Sequence, residues 1–512
     1  MLGGAHRVAR RHRIETKAEL GGVKLFTAHG ARAYDQRDAE QYQEDASPEF
    51  HDLTRPSARF SLDAAGFVVL LLLAAAAPFP YGAVLPGGTL RLELLSFLAL
   101  ALALFAHRTT PLRPARIPIL AALGIITVGA LQLIPLPDDL LRTVAPLSAR
   151  AWSEAAESIR LFDPSRVMHG RISVAPNETI GAILLTSSYV AAFVAAALLL
   201  HTRQRRRLFA WTLFASGMIQ IIIGVAEPEL ADDRVSGSFV NPNHLAGYLE
   251  IVLAVMFGVI WAEILTGRDR LYGAEQRSDQ FERRLLPLLP RILAWAAIAG
   301  GIAVTRSRGG ILAAILMTFA LLAMAALHRG RRVRRGRVAA MAAVAIVAGI
   351  VFVGVTTRDV PLTRFLATDP RDVGTDSRVR IWEASIEAWK QSPILGSGLG
   401  AFRDSFRRVQ PQDVKGLIDY AHNEPLQLLV SGGAIGLALG ILAYGGLMVV
   451  LFRLSLAQKH REESAMLLAA FGAMLALAFH GVTEFNLSIP AIAATLAMVA
   501  GMGIAGARRI EN

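Results

Sequence analysis

The stretch ILAAILMTFALLAMAALHRGRRVRRGR, residues 311–337, combines an apolar run with a dense cluster of arginines. The run from Ile311 to Leu327 carries no charged side chain, and as a helix it can cross a hydrocarbon core of about 30 Å. Backbone polar groups find no water inside a bilayer, so an apolar segment that crosses it must be helical. The arginine cluster that follows indicates a loop on the cytoplasmic side.

Apolar runs of this kind recur along the 512-residue chain, which is 53% hydrophobic. The charged residues fall in blocks between the runs, whereas a soluble protein mixes them along the chain. We therefore predict an all-α integral membrane protein with about twelve transmembrane helices. The predicted spans are Gly66–Val84, Leu90–Ala106, Ile117–Ile134, Ile180–Leu200, Leu208–Val225, Leu245–Leu265, Leu288–Val304, Ile311–Leu327, Val338–Val355, Ala434–Leu451, Met466–Phe479 and Ile489–Ala507.

The basic residues of the short loops predict how the helices are oriented. They crowd every second loop, as in the run RQRRR at 203–207, whereas the loop EPELADDR at 227–234 on the opposite side is acidic. This alternation predicts a multi-pass protein of the bacterial inner membrane with both termini in the cytoplasm. Residues 1–63 are predicted to be a flexible cytoplasmic tail.

Composition argues against several classes of site. The net charge is +12, but membrane topology explains basic residues beside spans, so we expect no nucleic-acid partner. The chain has no cysteine, which excludes disulfides and thiolate metal sites. The acidic loop 227–233 could hold a cation weakly, although a solvated loop is the simpler interpretation. We expect no metal and no cofactor.

Two long loops are predicted on the periplasmic side, Pro135–Glu178 and Thr356–Asn423, the second lying between spans nine and ten. The apolar spacing predicts an amphipathic helix at 377–389, and the Pro and Gly residues of SPILGSGLG predict a turn at 392–400. A second short helix is expected at Ala401–Val409. The chain then divides into the tail, an N-terminal membrane segment at 64–178, and a membrane core at 179–507 that includes the loop 356–423.

Two motifs at the periplasmic ends of spans carry arginine. RVSGSFVNPN places Arg234 and Asn243 at the start of the sixth span, where they could contact a ligand or form an ordinary turn and helix cap. TRSRGG places Arg306 and Arg308 in a short loop that should lack basic residues. An anionic ligand such as a phosphate would explain this charge, because guanidinium groups match phosphate oxygens. An ion pair with the acidic loop 227–233 is the alternative.

Two further motifs on this face carry histidine. His422 begins the tenth predicted span, and histidine is the side chain best suited to accept a proton near neutral pH, although a lone histidine at such a position is more often a cap or a packed surface group. HGVTEFNLSIP places His480, Glu484 and Asn486 between the last two spans. Glu250 lies within the sixth span. Ionisable groups in such places often mark function, and the alternative is a buried ion pair with an arginine.

In this order and on this face, the motifs resemble those of the O-antigen ligase and polysaccharide polymerase superfamily. The similarity covers residues 179–507. Its motifs are RVSGSFVNPN at 234–243, TRSRGG at 305–310, SRVRIW at 377–382, PILGSGLGAF at 393–402 and HNEPLQLLVSGGAIG at 422–436. The sequence departs from the pattern at Ser431, where many members carry Glu, and this leaves the acceptor side open.

The resemblance implies a GT-C-like membrane glycosyltransferase that takes a glycan from undecaprenyl diphosphate and passes it to an acceptor hydroxyl at the periplasmic face. It maps the family's essential arginines onto Arg234 and Arg308, its loop arginine onto Arg378 and its essential histidine onto His422. The other residues expected to bind substrate are Asn243, Asn423, Arg306 and Glu250.

The implied reaction is inverting. The arginines neutralise the diphosphate leaving group while His422 removes the proton of the acceptor hydroxyl. Neither metal nor nucleotide is needed, because lipid diphosphate already leaves readily. The acceptor stays open between a glycan, lipid A-core and a protein hydroxyl. A polytopic transporter of an anionic or glycan substrate is the alternative, but transporters bind near the bilayer midplane, and these polar motifs lie at the mouths of the spans.

Overall fold

The structure is a computed structural model that describes residues 58–106, 112–226, 234–266, 286, 288–327, 377–458 and 460–507. Most of the predicted tail, the ninth predicted span and the first part of the loop 356–423 lie outside these residues. The acidic loop 227–233 also lies outside them.

The described chain is helical along most of its length. The helices are α1 (Ala58–Ala76), α2 (Pro86–Phe105), α3 (Arg116–Gln132), α4 (Asp138–Val144), α5 (Pro146–Arg160), α6 (Pro176–Leu199), α7 (Arg203–Ala226), α8 (Pro242–Thr266), α9 (Leu289–Val304), α10 (Arg308–Leu327), α11 (Ser377–Lys390), α12 (Phe402–Phe406), α13 (Glu424–Gly440), α14 (Gly446–Ala457), α15 (Arg461–His480) and α16 (Pro490–Gly506). A π-helical turn at Ile441–Gly445 joins α13 to α14 without a break.

Within the described residues, 8 helices are long and apolar enough to cross a membrane. Shorter apolar helices at Ser61–Ala76, Leu289–Val304 and Pro490–Gly506 lie where the first, seventh and last spans were predicted. The protein is therefore an all-helical, multi-pass membrane protein. The count of about twelve spans and the GT-C-like arrangement stay predictions.

The predicted first span, Gly66–Val84, was wrong at both ends, because α1 begins at Ala58 and ends at Ala76. Two prolines account for the early end, since Pro78 and Pro80 cannot donate backbone hydrogen bonds and would clash inside a helix. A short 3₁₀ turn at Tyr81–Ala83 follows, and α2 begins directly after it at Pro86.

The tenth predicted span, Ala434–Leu451, is part of a longer helix that begins at Glu424. Gly433 interrupts this helix with φ 66° and ψ −167°, a conformation closed to residues with a side chain. A Cβ atom there would also collide with the carbonyl of Ile394. The break separates the segment 424–432, which carries the end of the predicted histidine motif, from the apolar helix beyond it.

Helix α8 is the centre of the bundle. Within Pro242–Leu265, an apolar window of 18 residues is completely buried inside the protein, as expected for a helix that is hydrophobic on all sides. Small residues allow its neighbours to approach closely, as they do in other membrane helix pairs. A Cβ atom on Gly258 would lie 2.6 Å from the Cβ atom of Ala469 on α15.

Polar contacts define the two ends of the bundle. At one end, Arg205 Nη2 lies 2.8 Å from Asp63 Oδ2, and buried Arg206 Nη2 lies 3.5 Å from Glu463 Oε1. The run RQRRR therefore binds carboxylates of this protein. The opposite end, here called the site face, is formed by the loops 77–85, 133–175, 234–241, 305–307, 391–423 and 481–489. Those loops carry the motifs predicted to bind substrate.

The two long loops pack against each other on the site face. Residues 135–178, predicted only as a loop, contain α4 and α5. The helix predicted at 377–389 is confirmed as Ser377–Lys390, and the helix expected at 401–409 covers only Phe402–Phe406. Backbone bonds join the loops, since Val174 N donates to Ser397 O at 2.9 Å and Leu147 N donates to Gln391 O at 3.4 Å. Buried Gln132, the last residue of α3, holds the second loop, because its side chain donates to Leu395 O at 2.6 Å and accepts from Leu399 N at 2.8 Å.

Candidate active site

The Glu484 carboxylate contacts several of the polar side chains that form the candidate site. Glu484 lies in the short loop between α15 and α16, and its side chain is 3% exposed. Its Oε1 atom accepts hydrogen bonds from Asn243 Nδ2 at 2.6 Å and from Arg378 Nη2 at 2.7 Å. Its Oε2 atom lies 3.5 Å from His422 Nδ1. One carboxylate therefore contacts side chains from α8, α11 and the loop before α13.

Arg234 joins this network through Asn243. Its Nη2 atom donates to Asn243 Oδ1 at 2.9 Å, and its Nε atom donates to Thr305 O at 3.1 Å. Thr305 begins the loop that leads to Arg308, so one guanidinium connects the two predicted arginine motifs. The side chain of Arg234 is half-buried, and its contacts hold the start of α8 against the end of α9.

The loop between α9 and α10 presents Arg306 and Arg308 on the site face. Both are exposed, and Arg306 has the left-handed backbone φ of 53°. Ser307 caps α10, because its hydroxyl accepts from Gly310 N at 3.2 Å. Arg308 is the first residue of that helix, where a side chain can reach into the region above the helix end. The structure thus places both arginines on the site face, Arg308 at the start of α10 and Arg306 in the loop before it.

His422 sits at the edge of the site with its side chain 28% exposed. Its ring lies edge-on to Phe485, with 4.8 Å between the ring centroids. Tyr420 stacks on Phe485 at 4.1 Å, and His244 packs edge-on against Phe485 at 4.6 Å. The edge-on contact with Phe485 therefore holds the His422 ring against this aromatic group.

Electrostatics keep the Glu484 carboxyl ionised. Burial alone raises its pKa, but the contact with His422 and the charges of Arg378, His422 and His244 act in the opposite direction and prevail. The net result is that the pKa of Glu484 lies below its ordinary value of 4.5. A buried carboxylate held negative in this way can orient and stabilise positive groups around it.

Glu250 is placed differently from the other predicted substrate-binding residues. Its side chain is fully buried, and its Oε1 atom lies 2.7 Å from His480 Nδ1, which is also fully buried. The pair lies beneath the start of α10, where a Cβ atom on Gly310 would come within 3.2 Å of Glu250 Oε1. Glu250 therefore lies beneath the site and is not exposed to a ligand in this structure.

Asn423 also makes structural contacts. Its Oδ1 atom caps α13 by accepting from Leu426 N at 2.8 Å, and its Nδ2 atom donates to Val482 O at 2.9 Å. Both ends of its side chain are therefore used by the backbone of this protein. Asn423 is therefore an N-cap, which is a common role of Asn at the start of a helix.

The structure thus brings Arg234, Asn243, Arg378 and His422 together, and it places Arg306 and Arg308 on the same face. Glu484 had no predicted role in the site. Its only signal was an ionisable side chain between two spans, for which an ion pair with an arginine was one interpretation. The contact with Arg378 agrees with that interpretation.

Among the described residues, no three His, Asp or Glu side chains are arranged so that they could hold a metal ion. The site instead contains guanidinium, imidazole and carboxamide groups around the Glu484 carboxylate. Such a site suits an anionic ligand that competes for the guanidinium groups, beside a histidine that can accept a proton.

Comparison with known families agrees with this chemistry. Residues 292–441 match the family model described as O-antigen ligase, a segment that contains Arg308, Arg378 and His422. Arg234 and Glu484 lie outside the matched segment, and the fold brings them to it. No curated protein matches the chain. The match shows that residues 292–441 are similar to the O-antigen ligase family, and it supports a function in glycan transfer at a membrane.

Proposed function

We propose that the protein is an inverting glycosyltransferase that moves a glycan from undecaprenyl diphosphate to an acceptor hydroxyl at the periplasmic face of the bacterial inner membrane. The observation that carries the proposal is the set of contacts of Glu484 with Arg378, His422 and Asn243. These residues are far apart in sequence, and they meet beside the helix that begins with Arg308. The arrangement provides guanidinium groups for the negative charge on the leaving diphosphate and a histidine for the proton of the acceptor hydroxyl.

The guanidinium groups would bind the donor diphosphate. Arginine offers a planar fork of N–H donors that matches phosphate oxygens and keeps its charge at every physiological pH. Arg378 is 36% exposed, so a ligand can reach it while it stays in contact with Glu484. Arg308 is exposed at the start of α10, and half-buried Arg234 donates to Thr305 O in the loop before that helix. Negative charge grows on the leaving diphosphate, so these contacts strengthen in the transition state.

His422 would be the general base. Its Nδ1 atom faces the negative Glu484 carboxylate, which favours the tautomer with the proton on Nδ1 and leaves the lone pair on Nε2. Nε2 then takes the proton from the acceptor hydroxyl as the oxygen bonds to the anomeric carbon. The bond between that carbon and the diphosphate oxygen breaks, the electron pair leaves with the diphosphate, and the configuration inverts. The carboxylate stabilises the imidazolium that forms.

The proposed reaction uses neither a metal nor a nucleotide. The acceptor could be a growing glycan, lipid A-core or a protein hydroxyl, since all three present the same attacking oxygen. Analysis of lipopolysaccharide and of polymer length in a deletion strain would separate the first two, because loss of a ligase leaves lipid A-core without long chains, and loss of a polymerase leaves single repeats.

The test of the proposal is His422→Ala in purified protein. A general base contributes about 100- to 10,000-fold, so transfer from an extracted lipid-linked glycan should fall by that factor while undecaprenyl diphosphate still binds. The control is His169→Ala, which removes an exposed histidine of the loop between α5 and α6. Transfer at nearly the wild-type rate by a folded His422→Ala protein would refute the proposed role.

A further inference from the structure

The backbone of His422 has an unusual conformation. Its φ is 51°, in the left-handed region that residues with a side chain seldom occupy. Such a conformation persists only when the surroundings hold it, and it is found disproportionately at functional sites. His422 is the proposed base, so the groups that hold this backbone also determine where its ring points.

Two side chains hold the peptide groups immediately before His422. Ala421 is fully buried, and its N–H donates to Gln427 Oε1 at 2.7 Å. Its carbonyl accepts from Trp382 Nε1 at 2.9 Å. Both polar groups of Ala421 are therefore bound by side chains, one from the first turns of α13 and one from α11. These two bonds restrain the backbone that leads into His422.

The chain after His422 is also held. Asn423 caps α13, as described above, and Glu424 N donates to Gly481 O at 2.8 Å. These bonds fix the chain on the far side of His422 to the loop that carries Glu484. Helix α11 adds a further constraint, because Arg378 and Trp382 are spaced as i and i+4 and so share one face. The same face therefore contacts Glu484 and holds Ala421.

We propose that Trp382 and Gln427 are positioning residues for the transfer reaction. By binding the two polar groups of Ala421, they hold His422 in its left-handed conformation with Nδ1 toward Glu484. This inference rests on the proposed function, because it assumes that His422 accepts the proton. Neither side chain needs to touch the substrate.

The experiment compares matched substitutions. Trp382→Phe keeps the aromatic ring and removes the N–H, and its control is Trp389→Phe, which removes the similar bond from Trp389 Nε1 to Pro393 O. Gln427→Leu removes the acceptor for Ala421 N, while Gln427→Glu keeps an acceptor oxygen and should restore function. Gln410→Leu is the control glutamine, since its side chain also bonds to nearby backbone, with Nε2 donating to Val414 O and Gly416 O.

A base displaced by about 1 Å can lose up to about 100-fold in rate, so kcat should fall toward that limit in Trp382→Phe and Gln427→Leu. The KM for the lipid-linked glycan and the affinity for undecaprenyl diphosphate should stay unchanged. In a His422→Ala background the same substitutions should have no further effect on the residual rate. General loss of structure would lower that rate too, and would change donor binding.

Separate outcomes overturn the two proposals. Wild-type kcat in Trp382→Phe and Gln427→Leu, together with a strong loss in His422→Ala, would refute the positioning role and leave the proposed function intact. Equal losses in the Trp389→Phe or Gln410→Leu controls would also refute it. Full activity of His422→Ala would refute the proposed function itself.

Discussion

Replacing Glu484 with glutamine should nearly abolish transfer while leaving the fold in place. The two donors from Asn243 and Arg378 both approach Oε1, so the glutamine should keep its carbonyl oxygen there. Its NH₂ group then occupies the position of Oε2, which lies 3.5 Å from His422 Nδ1. An N–H donor at this place favours the tautomer with the lone pair on Nδ1 and the proton on Nε2, which is unable to accept a proton from the acceptor.

The size of the effect follows from these contacts. Loss of the base function corresponds to about 100- to 10,000-fold in kcat, or about 3 to 5 kcal/mol of transition-state stabilisation. Hydrogen bonds to charged groups are stronger than neutral ones by about 1 kcal/mol, so the contact with Arg378 should weaken by about that amount. The predicted loss in rate is therefore much larger than the predicted loss in stability.

The assay is single-turnover transfer from an extracted lipid-linked glycan by purified Glu484→Gln, with thermal stability measured on the same sample. Glu154→Gln is the matched control, because it removes a carboxylate that pairs with Arg408 at 2.8 Å in a largely exposed position. Exposed pairs contribute about 0 to 1 kcal/mol, so the control should match the wild type. A folded Glu484→Gln protein that transfers at the wild-type rate would refute the reasoning.

The pH dependence provides a second readout of Glu484. Its folded-state pKa lies below the ordinary value of 4.5, so the carboxylate stabilises the folded protein above that value. The stabilisation is lost as the pH falls through the lowered pKa. The stability difference between the wild type and Glu484→Gln should therefore be constant from neutral pH to about 4.5 and shrink at more acidic values. A difference that shrank between pH 8 and 6 would contradict this assignment.

Arg308→Lys should clearly impair transfer, since lysine keeps the charge but lacks the bidentate N–H donors of arginine. Wild-type donor affinity and rate in both Arg308→Lys and Arg308→Ala would show that the diphosphate binds elsewhere. Transfer should survive a strong chelator, and loss with EDTA that a divalent ion reverses would contradict the metal-free reaction. Reporter fusions at Gly416 and Gly330 should score as periplasmic and cytoplasmic respectively, because basic residues mark the cytoplasmic loops; the reverse result would invert the proposed topology.

Much of the helical framework was predictable because a bilayer leaves few choices. An apolar run such as Ile311–Leu327 must be helical in lipid, and the structure has α10 at 308–327. The helix at Ser377–Lys390 followed from the spacing of its apolar residues. The boundaries at prolines and glycines were less well predicted. Pro78 and Pro80 end α1 before the predicted end of the first span. The tenth span was predicted from hydropathy to begin at Ala434, whereas its helix begins at Glu424 and is interrupted at Gly433.

The candidate residues were visible in the sequence as charged or polar side chains at the ends of apolar runs. Position alone left Arg234 and His422 open to ordinary interpretations as parts of a turn, a cap or a packed surface, and it placed Arg308 in a loop that should lack basic residues. Their motifs also carried the resemblance that the family match at 292–441 supports. The sequence could not separate ligand contacts from structural ones, however. Asn423 is a helix cap, and Glu250 is buried against His480.

By itself, the sequence determined that this is a helical membrane protein whose polar motifs lie at the ends of its apolar runs, because lipid penalises polar groups within the hydrocarbon core. Only the tertiary structure decided that Glu484 is the residue on which Arg378, His422 and Asn243 converge. The physical reason is that these contacts join elements separated by tens to hundreds of residues. Hydropathy and local spacing describe each helix alone, and the partners across the site depend on how the helices pack.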